Sequence, residues 1–177
     1  AGHLSAHTIT GNGAVSVSGT ATADTIRIAS GFLANSGLLG TTSTQLDIAS
    51  GATLIAGGTQ RYGLLTTSGP GAGAWQGDLI NLATLAPGGA ASTGILKVNG
   101  NFTNSSAGIL KMDVGRAGHD FLDVAGTATF DGTLDLARLG TSIPPFVSVQ
   151  LVSASDYTGN FTKLNENPGG PVWCTPE

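Results

Sequence analysis

Short triplets in which two apolar residues flank a polar one recur along the chain: Val15-Ser16-Val17, Ile26-Arg27-Ile28, Leu46-Asp47-Ile48, Leu96-Lys97-Val98 and Leu134-Asp135-Leu136. A period of two puts the apolar pair on one face of an extended strand and the polar residue on the other. No segment carries a sustained 3.6-residue stripe. The nearest is Asp78 to Ala86, where Leu79, Leu82 and Leu85 predict at most a turn of helix before Pro87-Gly88-Gly89. The pattern predicts an all-β chain of many short strands.

The triplets also repeat with their surroundings. Ile26-Arg27-Ile28-Ala29-Ser30-Gly31 returns as Leu46-Asp47-Ile48-Ala49-Ser50-Gly51. A longer echo runs from Val17 to Ile28 and again from Val124 to Leu136, with Gly132 as one extra residue. A weaker copy runs from Val98-Asn99-Gly100-Asn101-Phe102 toward Leu110-Lys111-Met112. The first echo sets a coil of about 20 residues, which cannot bury its own apolar face, whereas stacked coils pair their strands and share one core. The expected architecture is therefore a β-solenoid of roughly eight or nine coils. A sandwich of antiparallel strands is the structural alternative, since Gly-rich turns suit both.

Residues 1–140 read as solenoid coils, with a loop excursion near 69–75 at Gly69-Pro70-Gly71-Ala72-Gly73-Ala74-Trp75. Residues 141–165 read as terminal cap strands, including a nearly continuous strand from Phe146 to Val152, and residues 166–177 as a tail or linker.

Composition narrows the function classes. Charged residues are 10% of the 177, against about 25% in an average soluble domain. Mean hydropathy is +0.19, so low charge here does not signal disorder. A net charge of −4, with no run of Lys or Arg, argues against nucleic acid and anionic membrane as partners. No apolar stretch approaches the roughly 20 residues of a membrane-spanning helix. The opening Ala1-Gly2-His3 suggests a processed chain or a fragment. The single cysteine, Cys174, has no partner within the chain and is a candidate for an intermolecular disulfide.

The order of motifs carries a resemblance. Leu85-Ala86-Pro87-Gly88-Gly89 precedes Gly94-Ile95-Leu96-Lys97-Val98-Asn99-Gly100. Asp120-Phe121-Leu122-Asp123-Val124-Ala125-Gly126-Thr127-Ala128 and then Gly132-Thr133-Leu134-Asp135-Leu136 follow. Over residues 85–162 this resembles the C-terminal passenger region of bacterial autotransporters and related β-helical surface adhesins. The resemblance implies a right-handed parallel β-helix with a C-terminal capping segment, a secreted or cell-surface location, and an adhesive or display role. It carries no catalytic residue across, and the chain differs from the family's pattern in holding Cys174.

Candidate chemistry is sparse. His3 and His7 lie near the start of the chain, without helical spacing to make a metal pair. The densest polar cluster is Asp113, Arg116, His119, Asp120 and Asp123, with Asp131 and Asp135 nearby. Asp113, Asp120 and Asp123 are weak metal candidates, because a Ca²⁺ β-roll needs a repeated Gly-Gly-x-Gly-x-Asp loop that is absent. The same carboxylates are the basis of an alternative reading as a carbohydrate-active β-helix, of polysaccharide lyase or glycoside hydrolase type. The simpler reading makes Asp123 and Asp135 outward strand residues and Asp120 a turn cap. An ice-binding surface would need outward threonines in register, at which Thr20, Thr22, Thr127 and Thr129 hint. The sequons at Asn101, Asn104 and Asn160 read as ordinary turn and strand residues. The expectation is an extracellular structural or adhesive module with no catalytic residue and no cofactor. It would meet a surface receptor, a glycan or copies of itself, with assembly into a fibre as an extension.

Overall fold

In the computed structural model, which describes residues 2–89, 92–140 and 148–166, every strand ladder is parallel and joins strands of adjacent coils. The described residues contain no helix. The strands stack into a ten-stranded long sheet, a seven-stranded second sheet and a four-stranded third sheet. The chain is a parallel β-solenoid of about six turns.

The register shows how the sequence echoes become contacts. Ile26-Arg27-Ile28 lies directly against Leu46-Asp47-Ile48 in the long sheet. The longer echo marks corresponding strands of distant coils: Val17 and Val124 both lie in the second sheet, and Ile26 and Leu134 share one column of the long sheet. The extra Gly132 occupies a corner with φ +65°. That inward column runs Ile26, Leu46, Leu65, Leu85, Leu110, each facing the next. A second column runs Leu33, Leu54, Trp75, Val98, Val124. All of these side chains are at most 3% exposed, and each contributes about 1.5–3 kcal/mol by burial.

The buried Asn81 and Asn104 find their partners between coils. The Asn81 side chain donates to Asn104 Oδ1 at 2.7 Å, and the Asn104 amide donates to the carbonyls of Gly108 and Asp131. The Tyr62 hydroxyl donates to Asn81 Oδ1, and burial pushes its pKa well above the ordinary tyrosine value. Near the C-terminal end, Phe130 packs between Phe102 and Phe161. At the corners that follow the long-sheet strands, Gly13, Gly31, Gly51, Gly69 and Gly88 all have positive φ. At Gly31 a methyl group would strike the Gly13 carbonyl of the coil beside it.

Four expectations are corrected. First, there are about six turns rather than eight or nine, because the coil lengthens along the chain. Ala14 faces Phe32 in the first step of the second sheet, whereas the last step, from Asp123 to Ser153, encloses a far longer stretch of chain. Second, the turn of helix over Asp78 to Ala86 is two strands, Leu79–Asn81 and Thr84–Ala86, with Leu82 exposed at the corner between them. Third, the excursion near 69–75 is confined to residues 69–71. Ala72–Gln76 is a strand because Trp75 points into the core, where its indole N–H also reaches the Asp78 carbonyl.

Fourth, Phe146 and Val147 of the strand expected from Phe146 to Val152 lie outside the described residues, and of the described part residues 148–151 form no strand while Val152 is paired within Val152–Ser153. Together with Asp156–Gly159 and Lys163–Glu166, it continues the stack by one more coil. The inward Tyr157 and Leu164 of this coil stay 46% and 47% exposed. The tail from residue 167, Cys174 included, lies outside the described residues.

Candidate functional site

The added length of the later coils collects at one corner. Between the long sheet and the second sheet the connection is residues 12–13 in the first coil and 69–71 in the fourth. More residues link the two sheets in the coils that follow, numbers 87–94, 116–120 and 140–151, of which 90–91 and 141–147 lie outside the described residues. Insertions placed on one face of a solenoid commonly make its binding face. Here Thr93, Gly115, Arg116, Ala117, Gly118 and Leu139, from three successive coils, surround an open depression of about 260 Å³.

The middle excursion is a tight hairpin. Gly115 donates its N–H to the Gly118 carbonyl at 2.8 Å, and Val114 pairs antiparallel with His119. This lifts Arg116 and Ala117 into solvent, while the His119 and Phe121 rings lie nearly perpendicular to each other.

Asp120 fastens the base of this hairpin. One carboxylate oxygen accepts the Gly94 N–H at 2.8 Å and the other accepts the Asp113 N–H at 2.8 Å. The Asp120 N–H donates in turn to the Asp113 carbonyl. One side chain thus joins the end of the 87–94 excursion to both arms of the next. The residue is 1% exposed, and burial raises its pKa to about 7 against the pull of its two N–H donors. Asp113 is 2% exposed and its Oδ2 accepts no hydrogen bond among the described residues. Burial raises its pKa, Lys111 lowers it and Asp135 raises it again.

The expected polar cluster is therefore divided. Asp113 and Asp120 are buried, so neither carboxylate reaches the depression. Asp123 lies on the outer face of the second sheet, facing Lys97 on one side and Ser153 on the other. Asp135 similarly faces Lys111 and Asn165. An outward Asp beside an outward Lys is a favourable cross-strand pair. Asp131 Oδ1 accepts the N–H of Gly132. Among the described residues no three His, Cys, Asp or Glu side chains gather as metal ligands would. His7 instead pairs with Asp24 on the surface of the first coils, at 2.6 Å.

The remaining candidates also have defined places. Asn104 is fully buried, and Asn101 Oδ1 accepts the Thr127 N–H of the following coil. Thr20 faces His3 and Leu38, so no threonine ladder passes through it, although Thr129 bonds Thr158 at 2.8 Å. Sequence reasoning singled out Arg116 but missed Thr93 and Leu139, which reach the depression only because three coils stack. Comparison with protein-family models, curated proteins and solved structures found no match.

Proposed function

We propose that the chain is an extracellular scaffold whose solenoid presents the corner of stacked excursions as an adhesive surface. The observation that carries this reading is the enlargement of one corner in the later coils, while the sheets beside it keep their register. A core alone would not require that enlargement. Low charge and the resemblance of residues 85–162 to autotransporter passengers support a secreted or cell-surface setting. The partner class is a surface receptor or glycan that meets Arg116 and the polar backbone of the hairpin. In this reading Asp120 holds the surface in shape and takes no part in chemistry.

Arg116→Glu and Ala117→Trp variants, compared with the parent chain for binding to a glycan array and to intact cells, test the proposal. Both side chains are exposed, so stability should change by no more than about 0.5 kcal/mol. Loss of binding in both variants is expected. Binding equal to that of the parent chain contradicts the proposal. Turnover of an anionic polysaccharide that disappears in Asp120→Ala and Asp123→Ala would favour the carbohydrate-active alternative instead.

A further inference from the structure

The hairpin at the enlarged corner places two buried carboxyls on one rung. Asp113 and Asp120 are joined across it by the Asp120 N–H and the Asp113 carbonyl, and both side chains are withdrawn from solvent. The buried Asp47 shows what a carboxylate kept charged looks like in this fold. It has Arg27 at 3.5 Å and accepts bonds from the Thr66 and Ser68 hydroxyls. Among the described residues no lysine or arginine forms an ion pair with Asp113 or Asp120, and Asp113 Oδ2 accepts nothing. Burial without a counter-ion favours the neutral carboxyl, and two such groups side by side oppose each other's ionisation.

The same rung controls what the corner is tied to. The 87–94 excursion is held at its start by the Gly88 N–H on the Thr67 hydroxyl. Its end is held by the Gly94 N–H on Asp120 and by the Phe121 N–H on the Gly94 carbonyl. The strand Ile109–Gly115 is paired along its other edge with Thr133–Leu139. The arm 118–120 can therefore detach from it without opening the long sheet.

We propose that Asp113 and Asp120 form a proton-operated latch on this corner. With both carboxyls neutral, the arm 118–120 and the end of the 87–94 excursion stay clamped; ionisation releases them locally while the sheets stay paired. Burial raises both pKa values, that of Asp120 from 3.8 to about 7. The closed latch binds a proton that the open latch gives up, so closure is strongest below that window and weakens as pH rises through it. Lys111 opposes the shift at both carboxyls, and Asp135 reinforces it at Asp113. Arg116 and His119 lie on the hairpin, Arg138 on the next long-sheet strand, and Lys97 and Asp123 on the second sheet. Residues 87–94 have no ionisable side chain. As a control on binding, the latch rests on the adhesive reading of this corner; as a movement it is measured on the chain alone.

The test is amide hydrogen exchange at pH values spanning the window, corrected for the intrinsic pH dependence of exchange. Opening at the Gly94 and Asp113 amides should rise at least about tenfold per pH unit and level off above the window. There it should exceed opening at Ala74, a strand amide bonded to Ala52, by about 100-fold or more and be insensitive to low urea. Asp120→Asn should remove most of the slope, and Asp113→Asn combined with Asp120→Asn all of it. A flat parent profile overturns the inference, as does a slope that survives in the double variant, which would assign the proton to His119. One common rate for Gly94, Asp113 and Ala74 throughout would show global unfolding and also overturn it. Loss of binding with this profile intact strikes only the adhesive reading, and a flat profile with binding intact strikes only the latch.

Discussion

Asp120 is a buried carboxyl whose pKa is raised to about 7 from an ordinary 3.8. Between those pH values the unfolded chain ionises this group while the folded chain keeps its proton. The folded state therefore binds more protons, and stability falls as pH rises through that window. The difference corresponds to about 4 kcal/mol, fully present below roughly pH 4 and lost above pH 7. Asp113, also raised by burial, acts in the same direction.

Asp120→Asn removes the titration but keeps one oxygen acceptor. Its amide then confronts either the Gly94 or the Asp113 N–H, leaving a buried donor unpaired at about 1–3 kcal/mol. The variant should be less stable than the parent at pH 4 and equal to it or more stable at pH 8. Urea unfolding at both pH values measures this. Two stability–pH curves that run parallel would refute the assignment of this proton to Asp120.

Trp75→Ala, at a position 2% exposed in the middle of an inward column, should cost about 3–5 kcal/mol in chemical denaturation, far above the cost at a loop position. Asn104→Ala removes the donors to Gly108 and Asp131 and the acceptor for Asn81, and should cost about 3–5 kcal/mol. Amide exchange in that variant should rise first at Gly108, whose corner the side chain holds.

The alternating triplets made the strands legible because each turns two apolar residues to one side of an extended chain. The echo of Ile26-Arg27-Ile28 in Leu46-Asp47-Ile48 made the stacking legible because Ile26 and Leu46 touch in register. Where single residues set the structure, the sequence misled. Ala72–Gln76 is anchored by Trp75 alone, and its Gly-Ala surroundings resemble a loop. Leu79, Leu82 and Leu85 mimic a helical stripe because two three-residue strands meet at a corner that leaves Leu82 outside. Asn81 and Asn104 look like turn residues until the register of their strands places them in one column. Asp120 looked like a cap for its own turn, yet its donors are 7 and 26 residues away. Those contacts depend on coil lengths that no local pattern reveals.

The central claim is that consecutive coils stack in parallel with a defined register, and a cysteine pair tests it most directly. Lys97 and Asp123 face each other on the outer surface of adjacent coils, whereas Leu122 points into the core. In a Cys174→Ser background, Lys97→Cys with Asp123→Cys should close an intrachain disulfide under mild oxidation. Lys97→Cys with Leu122→Cys should not, because a shift of one residue moves the side chain to the other face of the sheet. Failure of the first pair, or equal closure of both, would contradict the parallel solenoid.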